Sequence, residues 1–245
     1  MSGPPDLLVA AFHWLEFLGL LGALGSFVVR RLGRMPPPIA WANPPMKIAF
    51  AAAFAGGLGL LVITPSGALG FRVVDEGCAL LICLLGRPFV APFVVAAIVS
   101  YPFTGHAAGV EPPAGAEFTD AVHVLSAGMW AGGILALASL RPPGGWQSAE
   151  ARVMLERFGR VAFIAFGITA LTGVLRATEQ LSQVSDLWTT SYGLVLSFKT
   201  AGVLLMLGLS SVGWRRGLPV AGIEAGAGVV VLGATALLAA FPLPA

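Results

Sequence analysis

Residues Leu7 to Val29 read LLVAAFHWLEFLGLLGALGSFVV and run straight into Arg30-Arg31. A helix needs about 20 mostly apolar residues to cross ~30 Å of hydrocarbon. This stretch supplies them and ends on a basic stop. Working outward, five further runs have the same character: Ile48 to Ile63, Phe118 to Leu140, Phe158 to Leu175, Tyr192 to Val212 and Val220 to Phe241. Two weaker runs, Arg72 to Leu85 and Pro88 to Thr104, are interrupted by Arg72, Asp75 and Glu76 and by Pro92 and Pro102. The pattern predicts an all-α, polytopic transmembrane helix bundle of about eight helices, or six if Arg72–Thr104 is a re-entrant pair. One transmembrane domain over residues 1–245 accounts for the whole chain. Because the uncertain segments come as a pair, the sidedness of everything after them is unchanged.

Composition agrees. Of 245 residues, 57% are hydrophobic and 11% charged, and the mean hydropathy is +0.87. Soluble domains carry roughly 25% charged residues, so this chain cannot clothe a water-facing surface and its partner is the lipid bilayer. A net charge of +2 gives no footprint for nucleic acid, and no glycine-rich phosphate loop points to a nucleotide. Met1 to Asp6 lacks a basic n-region, so the first helix reads as retained, not as a cleaved signal peptide. Cys78 and Cys83, five apart in one apolar run, diverge on a helix and read as small buried hydrophobes.

Positive residues set the orientation. Arg30, Arg31, Arg34, Lys47, Arg87, Arg141, Arg152, Arg157, Arg160, Arg215 and Arg216, eleven of the fourteen Lys and Arg residues, fall on one set of alternate loops. Both termini are therefore expected to be periplasmic, in the inner membrane of a bacterium. On that topology the three histidines of the chain, His13, His106 and His123, reach the outer face from three different segments. His13 and His123 lie inside apolar helices, where ionisable groups are costly and usually functional.

Each of those two has a carboxylate one turn away, in His13-x-x-Glu16 and Asp120-x-x-His123. Residues i and i+3 are neighbours on a helix, so Glu16 and Asp120 can orient the imidazole or add a ligand. Imidazole suits copper, zinc, iron or nickel, and a thioether favours Cu(I). Met129, six residues below His123, is a further candidate ligand. Three histidines at one face thus form a candidate metal site. The same histidines, His13 and His123 above all, could instead hold a b-type haem between helices, with Lys199 near its propionates. A structural or assembly subunit, with polar residues serving only as helix glue, is the third reading. Lys199, two turns inside the seventh run, needs a buried partner, and Glu16 and Asp75 match its depth. Glu224 is explained by a helix N-terminus.

The motifs Thr104-Gly-His106-Ala and Asp120-Ala-Val-His123-Val-Leu-Ser-Ala-Gly-Met129-Trp130-Ala-Gly-Gly133 closely resemble the copper-resistance protein D (CopD) family. Arg157-Phe-Gly-Arg160, Leu171-Thr-Gly173, Thr190-Ser-Tyr-Gly193 leading to Lys199, and Trp214-Arg-Arg216 follow in the family's order. The resemblance is most evident at 104–216. It implies a copper-binding inner-membrane protein, not an enzyme, that takes up or relays copper from the periplasmic side in copper homeostasis or resistance. It further implies that His106 and His123 match the family's histidine motifs, that His13 fits its first-helix position, and that Trp130 and Lys199 are recurrent. A small periplasmic copper-binding protein of the CopC type would be a separate partner, since no such domain is fused here.

Overall fold

A computed structural model of the chain describes residues 4–87, 89–104, 113–181, 183–216 and 221–241. Helix α1 spans Leu7–Gly33, and its N-cap Asp6 accepts hydrogen bonds from the N–H groups of Leu8 (2.9 Å) and Val9 (3.1 Å). Then come α2 (Met46–Ile63), α3 (Gly67–Leu84) and the short α4 (Ala91–Val99), followed by a 3₁₀ turn at Tyr101–Thr104. Helix α5 (Pro113–Ala127) passes through a π-helical turn, Gly128–Gly132, into α6 (Gly133–Ala138). The chain ends with α7 (Ala149–Gln180), α8 (Asp186–Thr189), α9 (Ser191–Arg216) and α10 (Ala221–Ala239). The described residues contain no strand.

Among the described residues, six helices are long and apolar enough to cross a membrane: Leu7–Gly33, Met46–Ile63, Ala114–Ala138, Ala149–Thr178, Ser191–Val212 and Gly222–Ala239. They match the six strong runs of the sequence. Of the two weak ones, Arg72–Leu85 falls, up to its last residue, in an 18-residue helix that carries Arg72, Asp75 and Glu76. The other is nine helical residues and a 3₁₀ turn, about 14 Å of α-helix at 1.5 Å per residue. The stretch after Arg141 is less of a loop than its Pro and Gly content suggests. Ser148 accepts from the N–H of Ala151 and starts α7 at Ala149.

Helix α1 is the axis around which the others pack, and small residues let them approach. A Cβ on Gly19 would strike the Ala53 backbone of α2, and one on Gly56 the backbone of Glu16. On the other side, a Cβ on Gly25 would collide with the main chain of Gly132 in the π turn. In lipid, where burying apolar surface drives little, such backbone-to-backbone packing is a main source of helix association.

Cross-helix contacts fix which ends lie together. At the far end of α1, Arg157 donates to four carbonyls, those of Leu32 (3.0 Å), Met35 (3.1 Å), Pro36 (3.0 Å) and Pro37 (3.1 Å). Arg157 is near the start of α7, so α7 runs back antiparallel to α1. Down the α5–α7 seam, Gly133 meets Phe158, Trp130 meets Phe166, Ser126 meets Thr169 and His123 meets Thr172. Helix α5 is therefore parallel to α1. At the near end, the Asp6 N–H donates to the Ala240 carbonyl (3.2 Å), and Tyr192 meets Phe241 edge-on. His13, His123 and Lys199 all lie toward this end, while Arg30, Arg31, Arg34, Arg141, Arg152, Arg157 and Arg160 gather at the other.

Candidate metal-binding end of the bundle

Two polar clusters are built into the end that holds the histidines. The first is assembled from α1, α3 and the 3₁₀ turn. Glu16 is fully buried (0% exposed), with Arg72 at 1%. Glu16 Oε1 accepts from Arg72 Nε at 2.8 Å, and Oε2 accepts from the Tyr101 hydroxyl at 2.5 Å. The Arg72 guanidinium also lies 4.0 Å over the Tyr101 ring. His13 Nδ1 stands 3.2 Å from Tyr101 Oη and 3.6 Å from Glu16 Oε2, and its ring stacks on Phe17. The i, i+3 spacing does bring His13 and Glu16 together.

The second cluster is assembled from α5, α7 and α9. His123 Nδ1 is 3.0 Å from Thr172 Oγ1. One turn away, Asp120 Oδ1 pairs with Arg176 Nε at 3.4 Å. The Lys199 ammonium lies within the fields of Asp120 and Arg176 and close enough to act on His123. This corrects the expectation that Lys199 pairs with Glu16 or Asp75. Glu16 is occupied by Arg72, and the charged groups that act on Lys199 are Asp120 and Arg176.

The neighbouring hydroxyl groups favour one tautomer of each ring. A hydroxyl has one proton to give. Tyr101 gives its proton to Glu16, so its oxygen can only accept from His13, and Nδ1 of His13 carries the hydrogen. Thr172 Oγ1 donates to the Ile168 carbonyl at 2.7 Å, so it too can only accept, and Nδ1 of His123 is the donor. An imidazole held in this way presents Nε2 as the nitrogen with a lone pair to offer. This is the arrangement in which a metal-ligating imidazole is held by a neighbour through its other nitrogen.

The remaining expected residues are placed as follows. His106 lies outside the described residues. Met129 sits in the π turn, half-buried, beside an apolar groove with Leu125, Ser126 and Ala165. Trp130 is buried, edge-on to Phe166 at 4.9 Å. Among the described residues, no three His, Cys, Asp or Glu side chains come together as a group that could hold a metal ion. Arg72, Glu76, Tyr101, Thr172 and Arg176 were not picked out from sequence as parts of these clusters. Arg72 and Glu76, one turn apart in an apolar run, were the available signal. Tyr101 had none.

Comparison with known proteins gives a consistent family. The model for "Copper resistance protein D" matches residues 152–238, a stretch holding Thr172, Arg176 and Lys199 and beginning after the three histidines. The chain is also 31% identical over 123 residues to the copper transport protein CutJ of Bacillus subtilis (strain 168). That match takes in 49% of this chain and 23% of the relative, so the chain spans about a quarter of the curated protein it matches. No solved structure matches.

Proposed function

From its assignment to the copper resistance protein D family, we propose that this membrane protein handles copper as cargo, binding it at the histidine end of the bundle. His13, His123 and His106 are the proposed ligands. The observation that supports this best is the shared setting of the two described rings, each held through Nδ1 by a hydroxyl group that gives its own proton elsewhere. Glu16 and Asp120 serve as positioning groups, since Arg72 and Arg176 engage them. With the basic residues of the opposite end turned to the cytoplasm, the histidine end faces the periplasm of a bacterial inner membrane. Copper is then taken up or relayed from that side, toward Met129, after delivery by a separate small protein of the CopC type.

The test is copper binding by purified protein. Replacing His123 with Ala should abolish it, and unchanged stoichiometry and affinity would refute the assignment. A visible spectrum of the same sample covers the other reading of these histidines. A Soret band that shifts on reduction would put a b-type haem there in place of copper.

A further inference from the structure

Beneath the first cluster lie more carboxyl groups than cationic groups among the described residues. Both Glu16 and Glu76 are fully buried. Glu16 is engaged through both oxygens, by Arg72 and Tyr101. Glu76 is not: both its oxygens are buried with no N–H or hydroxyl donor on them among the described residues, and its carboxyl group faces that of Glu16. The two carboxyl groups meet over the bare backbone of Gly57. A Cβ there would lie 3.3 Å from Glu16 Oε1 and closer still to Glu76 Oε2.

Among the described residues, the charged and titratable groups around Glu76 come from three elements. Helix α1 contributes Glu16, α3 itself contributes Arg72 and Asp75, and the 3₁₀ turn contributes Tyr101. Helix α2 presents only Gly57. With both glutamates ionised, one guanidinium faces two carboxylates, and a net negative charge is sealed where ionised groups are costly. A proton on Glu76 removes that charge. Of the described copper ligands, His13 is the nearer, and the Glu16 carboxyl group lies between it and Glu76.

We propose that Glu76 is a proton-carrying site, and that binding of a copper monocation at His13 expels its proton, so that one proton is exchanged for each Cu(I) bound there. The inference rests on the copper reading of His13. In the metal-free state Arg72 is positive, Glu16 negative and Glu76 neutral, which sums to zero. Cu(I) adds one positive charge. The O–H bond of Glu76 then breaks, its electron pair stays on the carboxylate, the proton goes to bulk water, and the sum returns to zero. No electron is transferred, and both states of the buried cluster are neutral.

The experiment titrates Cu(I) into the purified full chain, reading bound copper, proton release by an indicator dye, and the infrared C=O stretch of protonated carboxyl groups. Wild type should lose a protonated-carboxyl band as copper binds. Glu76→Gln should bind the same copper, show no such band and release one proton fewer per copper. Equal proton release by the two proteins at equal bound copper overturns the inference, as does absence of the band from metal-free wild type. Asp75→Asn should behave as wild type, and if Glu76→Gln fails to fold, the wild-type band and its response to copper decide alone. Failure of the copper reading looks different. His13→Ala would then bind copper as wild type does, and the band in metal-free protein would not respond to the metal.

Discussion

At the residue scale, a histidine offers a metal whichever nitrogen its neighbours leave bare, and here hydroxyl groups decide. Thr172 holds His123 through Nδ1 while giving its own proton to Ile168. Thr172→Val keeps the shape and removes the acceptor, so copper affinity should fall about 10–100-fold, as for other lost supporting partners, while Thr172→Ser should retain it. Competition with a copper chelator measures both. The Glu16–Arg72 pair makes a separate prediction. Both groups are buried, and removing one partner of such a pair costs about 3–5 kcal/mol because it strands a charge. Arg72→Leu should therefore lower the unfolding midpoint in detergent sharply, and adding Glu16→Leu should recover much of the loss. If Arg72→Leu unfolds like wild type, the pair has no structural role.

At the element scale, small residues on α1 and in the π turn set how closely the helices cross. A Cβ on Gly132 would meet the Leu21 carbonyl, whereas one on Gly167 of α7 would meet nothing within 4 Å. Gly132→Val should thus destabilise by about 2–3 kcal/mol through overpacking. Gly167→Ala should be neutral or stabilise by up to about 1 kcal/mol through helix propensity. Thermal unfolding of the two variants distinguishes crossing geometry from a general intolerance of larger residues. The same scale shows what could be read from sequence. The six strong spans are local properties of composition and survive nearly unchanged. The His13–Glu16 pair was readable because both members share one helix. Its completion by Tyr101 joins residues 85 positions apart, which no local period announces. The partner of Lys199 was misread for a related reason: depth along a helix can be counted from sequence, but which helix faces which cannot.

At the scale of the whole molecule, one end of the bundle collects the histidines and the other the arginines. The orientation that follows is open to direct test. With Cys78 and Cys83 replaced by alanine, Pro65→Cys between α2 and α3 should react with a membrane-impermeant maleimide on intact cells. Pro143→Cys, between α6 and α7, should react only after the cytoplasm is opened. The reverse pattern would place the histidines on the cytoplasmic side. Whether copper is held at the histidine end is decided by elemental analysis of purified, dialysed protein. Wild type should carry about one copper ion per chain, lost when both His13 and His123 are changed to alanine. A double variant that retains wild-type copper would contradict binding at that end.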